Sequence, residues 1–311
     1  MVTPQRIFQM MNAHVAMQAL RAGIELGLFT AVGSGHTTVE TLAANLQATE
    51  RGTRILAAYL CVTGLLTKTE GHYGLAPDAA LFLDARSPAY AGLASRFMNH
   101  PVLFHASSDI AQVVRSGKMM LGGEGTIEDG NPVWVDFARG MAPLMMPFAG
   151  IIAGLVGTGP VRVLDVAAGH GMFGIQIAVQ NPEAQVAALD WPAVLAVAAE
   201  SAQHLGVADR WTGIPGNALS VDYGTGYDVV LLTNLLHHFV EAGCVDILRR
   251  LHASLKPGGR AITLEFVPNP DRVTPPTSPA FSIGRILARY KLTVACAGYF
   301  TVPINLCSPI P

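Results

Sequence analysis

Charged side chains are scarce in this chain. Asp, Glu, Lys and Arg make up 14% of its 311 residues, while half of it is apolar. That balance excludes a disordered, solvated polymer. It also leaves more apolar surface than a monomer usually covers, which predicts a partner subunit. Neither sign is in excess: the formal net charge is −2, so a general nucleic-acid or anionic-membrane binder is not expected. Cysteine is rare too. Cys61, Cys244, Cys296 and Cys307 form no CxxC pair and no metal-ligand spacing with histidine, so no bound metal is expected. They read as reduced thiols, which points to the cytoplasm. The first 23 residues have scattered charges and no apolar core of a signal peptide. Long unbroken apolar runs are also missing. Met141–Val161 carries no charge, but Pro143, Pro147 and a GTGP turn at 157–160 are expected to break it. The uncharged stretch Leu292–Pro311 holds Pro303, Asn305 and Pro309. Neither offers the ~20 helix-compatible apolar residues of a membrane span, so a soluble protein is expected.

The length suits two domains, each with its own core. Residues 6–31 place Ile7, Met10, Met11, Val15, Met17, Leu20, Ile24 and Leu28 at helical spacing, which predicts one or two amphipathic helices. Thr37-Thr38-Val39-Glu40 reads as a helix start with a threonine cap. A further helix from about Glu50 to Leu66 is expected to present Ile55, Tyr59, Val62 and Leu66 on one face, with Leu56 and Leu60 beside them. TKTEGHYGLA then reads as a two-stranded wing turning at Glu70-Gly71. Three helices and a wing make a winged helix-turn-helix, which can read DNA or serve as a dimerisation scaffold. A DNA-reading helix needs polar and basic side chains toward the bases. This one offers Arg51 and Arg54 and then turns apolar, so the scaffold is favoured. From about 87 to 156 the chain is again mostly helical, around a polar glycine-rich loop at Gly117–Pro132. Phe137, Met141 and Met145 recur at a spacing that suits either core or the wall of an apolar pocket. The expected division is a helical domain at 1–100, a helical connection at 101–156 and an α/β domain at 157–311.

The most informative segment is VRVLDVAAGHGMFGIQIA at 161–178. VRVLDV is a buried strand, AAGHG a tight turn of small residues, and MFGIQIA the opening of a helix. Such a turn lets main chain approach a ligand at a helix N-terminus. Gly169, Gly171 and Gly174 match GxGxxG, so a nicotinamide or flavin dinucleotide is one candidate cofactor. The neighbours favour another. Asp165 closes the first strand ahead of the glycines, an arrangement found in methyltransferases of this fold, whereas a dinucleotide fingerprint usually begins directly after the strand. The next strand, Gln185–Leu189, ends in Asp190, nineteen residues past Gly171. A carboxylate there can accept both ribose hydroxyls of either cofactor, or simply cap the helix that Pro192 begins. Asp228–Thr233 is a further buried strand, and LKPGGRAITLEF at 255–266 reads as a helix end, a PGG turn and another strand.

On LDVAAGHG, LDWP at 189–192, GNAL at 216–219, NLLHHF at 234–239 and LKPGGR, residues 5–281 resemble the S-adenosylmethionine-dependent O-methyltransferases with an N-terminal dimerisation domain. That group includes plant caffeic acid and flavonoid enzymes and bacterial small-molecule methyltransferases. The resemblance implies a Rossmann-like, doubly wound, mostly parallel sheet preceded by a mainly α winged-helix domain, and a homodimer. It implies methyl transfer from S-adenosylmethionine to a hydroxyl, phenolic by preference, of a small molecule. By the same resemblance Asp165, Ala167, Gly169 and Gly171 belong to the cofactor site, with the turn 167–171 around the methionine part. Asp190 takes the ribose. Asn217 and Ala218 lie against adenine, Asn217 standing where the family commonly has aspartate. Phe137 and Met141 fall on acceptor-contacting positions, and His237 on that of the general base. His238, where aspartate is common, is expected to turn away as a structural partner, and Phe239 replaces a tryptophan.

The pattern departs from the family at the C-terminus. No acid follows Asp271, and 285–311 lacks the glutamate-bearing stretch that the family uses to orient the histidine. On that reading His237 has no carboxylate support and turnover is slow. A dinucleotide oxidoreductase and an inactive cofactor-binding protein therefore stand as the alternatives.

Overall fold

A computed structural model of the chain describes residues 2–116 and 130–276. Cys296, Cys307, the C-terminal departure and most of the 117–132 loop lie outside the described residues. The rest forms two compact units, one ending at Ser95 and the other beginning at Arg96.

The first unit holds α1 (Gln5–Met11), α2 (Ala13–Glu25), α3 (Leu28–Gly33), α4 (Val39–Asn45) and α5 (Glu50–Val62). It continues with β1 (Leu66–Thr69), β2 (His72–Leu75) and α6 (Pro77–Phe82). Local chemistry sets the boundaries. Gly27, at φ 72°, lets the chain turn between α2 and α3. Thr38 caps α4 in a reciprocal pair with Thr41, and Thr49 caps α5 by accepting from Gly52. Glu70 and Gly71 both have positive φ, as a two-residue hairpin turn requires, so the wing is antiparallel and paired as expected. The core gathers Leu28, Phe29, Leu42, Leu60 and Tyr73. The apolar face carrying Ile55 and Val62 points outward. The buried stripe of α5 is Thr53, Ala57 and Leu60, while Ile55 and Val62 are 57% and 81% exposed. Small residues win the inward face because α2 comes close there: a Cβ on Gly23 would lie 3.2 Å from Leu60 Cδ1.

The chain passes through α7 (Ala94–Met98) into α8 (Pro101–Ala106), α9 (Ile110–Ser116) and α10 (Val133–Val156). Then β3 (Val161–Val166), α11 (Met172–Gln180), β4 (Ala184–Asp190), α12 (Pro192–His204) and β5 (Trp211–Pro215) alternate. They are followed by β6 (Tyr227–Thr233), α13 (Glu241–Ser254) and β7 (Leu255–Leu264). The five strands lie in the order β5-β4-β3-β6-β7, and every pairing is parallel. Side-chain alternation along the strands builds two cores. Val163, Val186, Val229, Leu231 and Ile262 pack with α10 and α11, whereas Leu164, Val166, Val230, Leu232 and Ala261 pack with Ile247 and Leu251 of α13. A sheet buried on both faces explains why these strands read as near-continuous apolar runs.

α10 corrects a second expectation, because it runs through both Pro143 and Pro147. By length and composition alone this helix could cross a membrane. Instead its Met145, Ala149, Ile152 and Ala153 pack into the sheet core, and their burial offsets the hydrogen bonds that the prolines remove. Arg260 adds a clamp at the far end, donating to the carbonyls of Leu155 and Val156. LKPGG is no helix end either. Leu255 already pairs with Tyr227, and a register irregularity precedes the regular Val229–Arg260 pairing.

Candidate active site

In a parallel α/β sheet, loops gather beyond the carboxyl ends of the strands, and ligands bind where the strand order reverses. Here that point lies between β3 and β6. A cavity of about 300 Å³ opens there, at the lower end of the range for small-molecule sites. Its walls come from the turn after β3, the end of β4, Gly216–Leu219 after β5, Thr233–Phe239 after β6 and Phe266 after β7. Phe97, Met98 and α10 close the remaining side. The cavity thus brings together Ala167, Gly169, Asp190, Asn217, Ala218, Phe137, Met141 and His237. Asp165 and Gly171 stand behind the wall rather than on it.

The turn after β3 is held from within. Ala167, Gly169 and Gly171 all have positive φ. Asp165 is fully buried; its Oδ2 accepts the Gly174 N–H at 3.1 Å, while Oδ1 finds no hydrogen-bond partner among the described residues. A Cβ on Gly174 would sit 2.7 Å from Val186 Cγ1, so the third glycine serves close helix–strand packing. Gly171 instead lets α12 come close: a Cβ there would be 2.8 Å from that of Ala198. Asp190 braces the turn from β4, accepting from Gly169 N–H and Trp191 N–H, each at 2.7 Å. Burial raises the pKa of Asp165 to about 7, the Asp190 charge adding to it, and that of Asp190 to about 6 in spite of its two N–H donors.

This geometry bears on the dinucleotide alternative. A pyrophosphate needs open N–H groups at the helix N-terminus. Those of Met172 and Gly174 are already taken, by His170 Nδ1 and Asp165 Oδ2. Among the described residues the cavity wall also contains no lysine or arginine. A carboxylate at the β4 end, a tight small-residue turn and a mostly apolar remainder suit a nucleoside cofactor without phosphates. Asn217 accepts the Leu219 N–H at 2.8 Å through Oδ1, which fixes the segment and leaves its amide N–H groups as ligand donors.

At the other end, a short 3₁₀ turn, Leu236–His238, carries the two histidines. His237 Nδ1 lies 2.5 Å from Glu265 Oε2, and Glu265 Oε1 accepts the Leu236 N–H at 2.7 Å. The side chains of His237 and Glu265 are 13% and 8% exposed. This overturns the expectation of an unsupported histidine. The carboxylate comes from the end of β7 and not from the tail, because Thr233 pairs with Leu264 and the next residue of each strand leaves the sheet at the same edge. Cys244 adds a weaker tie, its thiol donating to the Leu236 carbonyl at 3.4 Å. His238 is a second correction. It is 8% exposed and lines the cavity beside His237, ring centroids 4.5 Å apart, with Trp134 packed edge-on at 5.3 Å. A 3₁₀ turn at the rim lets neighbouring side chains both border one cavity. Trp134 and Phe97 also flank Phe137, at 5.5 and 5.1 Å. The sequence reading passed over Trp134, Phe97, His170 and Glu265.

A parallel Rossmann-like sheet among the described residues, a cavity that suits a nucleoside without phosphates and a carboxylate-held histidine beside an aromatic wall point to a class I methyltransferase. Comparison with known proteins gives the family. Residues 8–85 match the O-methyltransferase dimerisation domain, and residues 164–261 a methyltransferase domain. A structure from Nostoc punctiforme, assigned as an O-methyltransferase, superposes with a TM-score of 0.88 at 40% identity, over 93% of this chain and 88% of that one. The 3-hydroxy-5-methyl-1-naphthoate 3-O-methyltransferase of Streptomyces sahachiroi is 25% identical over 91% of this chain and 83% of its own length. Human N-acetylserotonin methyltransferase, solved in complex with S-adenosylmethionine, shares the fold at a TM-score of 0.78 and 18% identity, over 92% of this chain and 86% of that one. The chain belongs to the S-adenosylmethionine-dependent O-methyltransferases that carry an N-terminal dimerisation domain.

Proposed function

We propose that this enzyme methylates a hydroxyl of a small, flat, apolar aromatic molecule, a phenol by preference, with His237 as general base. The pairing of Glu265 with His237 at 2.5 Å, with His237 lining the cavity that Asp190 also lines, carries the reading. S-adenosylmethionine supplies a methyl group already activated on a sulfonium. What remains for the protein is alignment and removal of one proton. Glu265 accepts from Nδ1–H, a tautomer that puts the basic lone pair on Nε2, so His237 can take the hydroxyl proton and Glu265 balances the imidazolium. Phe137 and Met141, with Trp134 and Phe97, form the acceptor wall. Asp190 receives the ribose hydroxyls, Ala167 and Gly169 border the methionyl end, and Asn217 and Ala218 border the adenine. Asp165 and Gly171 support this turn from behind without touching the ligand.

The assembly in this reading is a homodimer through residues 1–100. Exposed Ile7, Phe8, Met10, Met11, Ile55 and Val62 favour it, being too apolar to leave wet. Within the connection 101–156, α10 contributes the acceptor wall to the methyltransferase domain at 157–311, and the cytoplasm is the compartment. The test is product formation: purified protein, S-adenosylmethionine and a panel of monocyclic and bicyclic phenols with their amine counterparts, read by mass spectrometry. Methylated products from hydroxyl-bearing members alone support the reading. Products from amine-only members, or none while S-adenosylhomocysteine binds, would overturn it.

A further inference from the structure

His170 does more than shape the turn. Its ring is 2% exposed, lying nearly parallel to Phe137 with centroids 6.2 Å apart and tilted against Phe173 at 5.3 Å. Burial in this apolar sandwich pushes its pKa down to about 4, so the ring is neutral at pH 7. Nδ1 accepts the N–H of Met172, the first residue of α11, at 3.1 Å. A neutral imidazole whose Nδ1 is an acceptor carries its proton on Nε2, at the opposite edge of the ring. His170 lines the cavity, and among the described residues no group accepts from Nε2.

A ligand that brings an amino-acid carboxylate to this turn meets a shortage of donors. Among the described residues the wall has no lysine or arginine, and the N–H groups of Met172 and Gly174 are committed within the protein. We propose that His170 Nε2–H donates to the carboxylate of the cofactor's methionyl end, relaying the positive pole of α11 from Met172 N–H through the imidazole. The relay gives the anion a partner without a buried cation, and it places α11's dipole at the ligand although the helix's own N–H is occupied. This inference rests on the reading of the site as one for S-adenosylmethionine.

Two ligands separate the carboxylate from everything else: S-adenosylhomocysteine carries it, and 5′-methylthioadenosine keeps the nucleoside and sulfur without it. Calorimetry on full-length protein compares them in His170→Asn and His170→Gln. Asparagine keeps an acceptor for the Met172 N–H but withdraws the distal donor, whereas glutamine returns an N–H to about the Nε2 position. The expected result for His170→Asn is a roughly 10–100-fold loss of S-adenosylhomocysteine affinity with 5′-methylthioadenosine unchanged, as befits one hydrogen bond to a charged group. His170→Gln should recover most of that loss. Equal losses for both ligands, or no loss in His170→Asn, would overturn the proposal. Failure of the wild-type protein to bind S-adenosylhomocysteine would instead overturn the functional reading beneath it.

Discussion

Replacing Glu265 with glutamine probes the base most sharply, because the change keeps the shape and inverts one hydrogen bond. Glu265 accepts twice, from Leu236 N–H at 2.7 Å and from His237 Nδ1–H at 2.5 Å. A glutamine can satisfy the main-chain N–H with its oxygen, but its NH₂ then faces Nδ1 and donates to it. His237 must flip tautomer, which puts the proton on Nε2 where the acceptor's proton should go. The loss is that of a general base, roughly 10²–10⁴ in the methyl-transfer rate. Stability should fall by about 1–3 kcal/mol, since a hydrogen bond to a buried carboxylate is replaced by a neutral one. The assay is single-turnover transfer with cofactor and phenol both saturating. The defect should shrink as pH approaches the phenol's own pKa near 10, because a phenolate needs no base. It should also shrink for more acidic phenols at fixed pH. A Glu265→Gln enzyme with wild-type rate at pH 7, or with the same deficit at every pH, would refute the reasoning.

Three further outcomes are expected. Asp190→Ala should weaken S-adenosylhomocysteine binding by about 1.5–3 kcal/mol in calorimetry, and wild-type affinity should fall as pH drops below about 6, where this carboxylate protonates. Asp165 gives a stability signature: its folded-state pKa is raised to about 7, so the protonated form fits the folded state better. That contribution is fully present below the unfolded value near 4 and is lost as pH rises through 7. The ligand-free protein should therefore melt higher at pH 5.5 than at pH 8, and Asp165→Asn should flatten that slope. Light scattering at micromolar concentration should give twice the chain mass, and charged substitutions at Ile55 and Val62 should lower it.

The sheet and its turn were legible because their chemistry is local. VRVLDV, the AAGHG turn and Asp190 are each specified within a few residues, and the wing turn needed only Glu70-Gly71. Glu265 was missed because its partnership with His237 spans 28 residues and depends on the pairing of β6 with β7. A signal was present: an acid immediately after a strand stands at the edge of the sheet where such folds bind ligands, and LEF at 264–266 is such a site. α10 defeated a local rule. Proline disfavours helix interiors, yet core burial along the other face carried the helix through two of them. The outward apolar face of α5 was not legible for another reason, since periodicity locates an apolar stripe without saying whether it meets its own core or a partner. Two stripes compete there, and the smaller residues take the inside. His238 was misplaced because one 3₁₀ turn at the rim lets both neighbouring histidines border the cavity.

The central claim is that His237 takes the acceptor's proton within a cofactor site that stands without it. Single-turnover methyl transfer to one accepted phenol, measured in wild type and His237→Ala beside calorimetry with S-adenosylhomocysteine, tests both halves at once. The expected result is a rate at least about 10²-fold lower in the variant with cofactor affinity unchanged. Equal rates in the two proteins would contradict it.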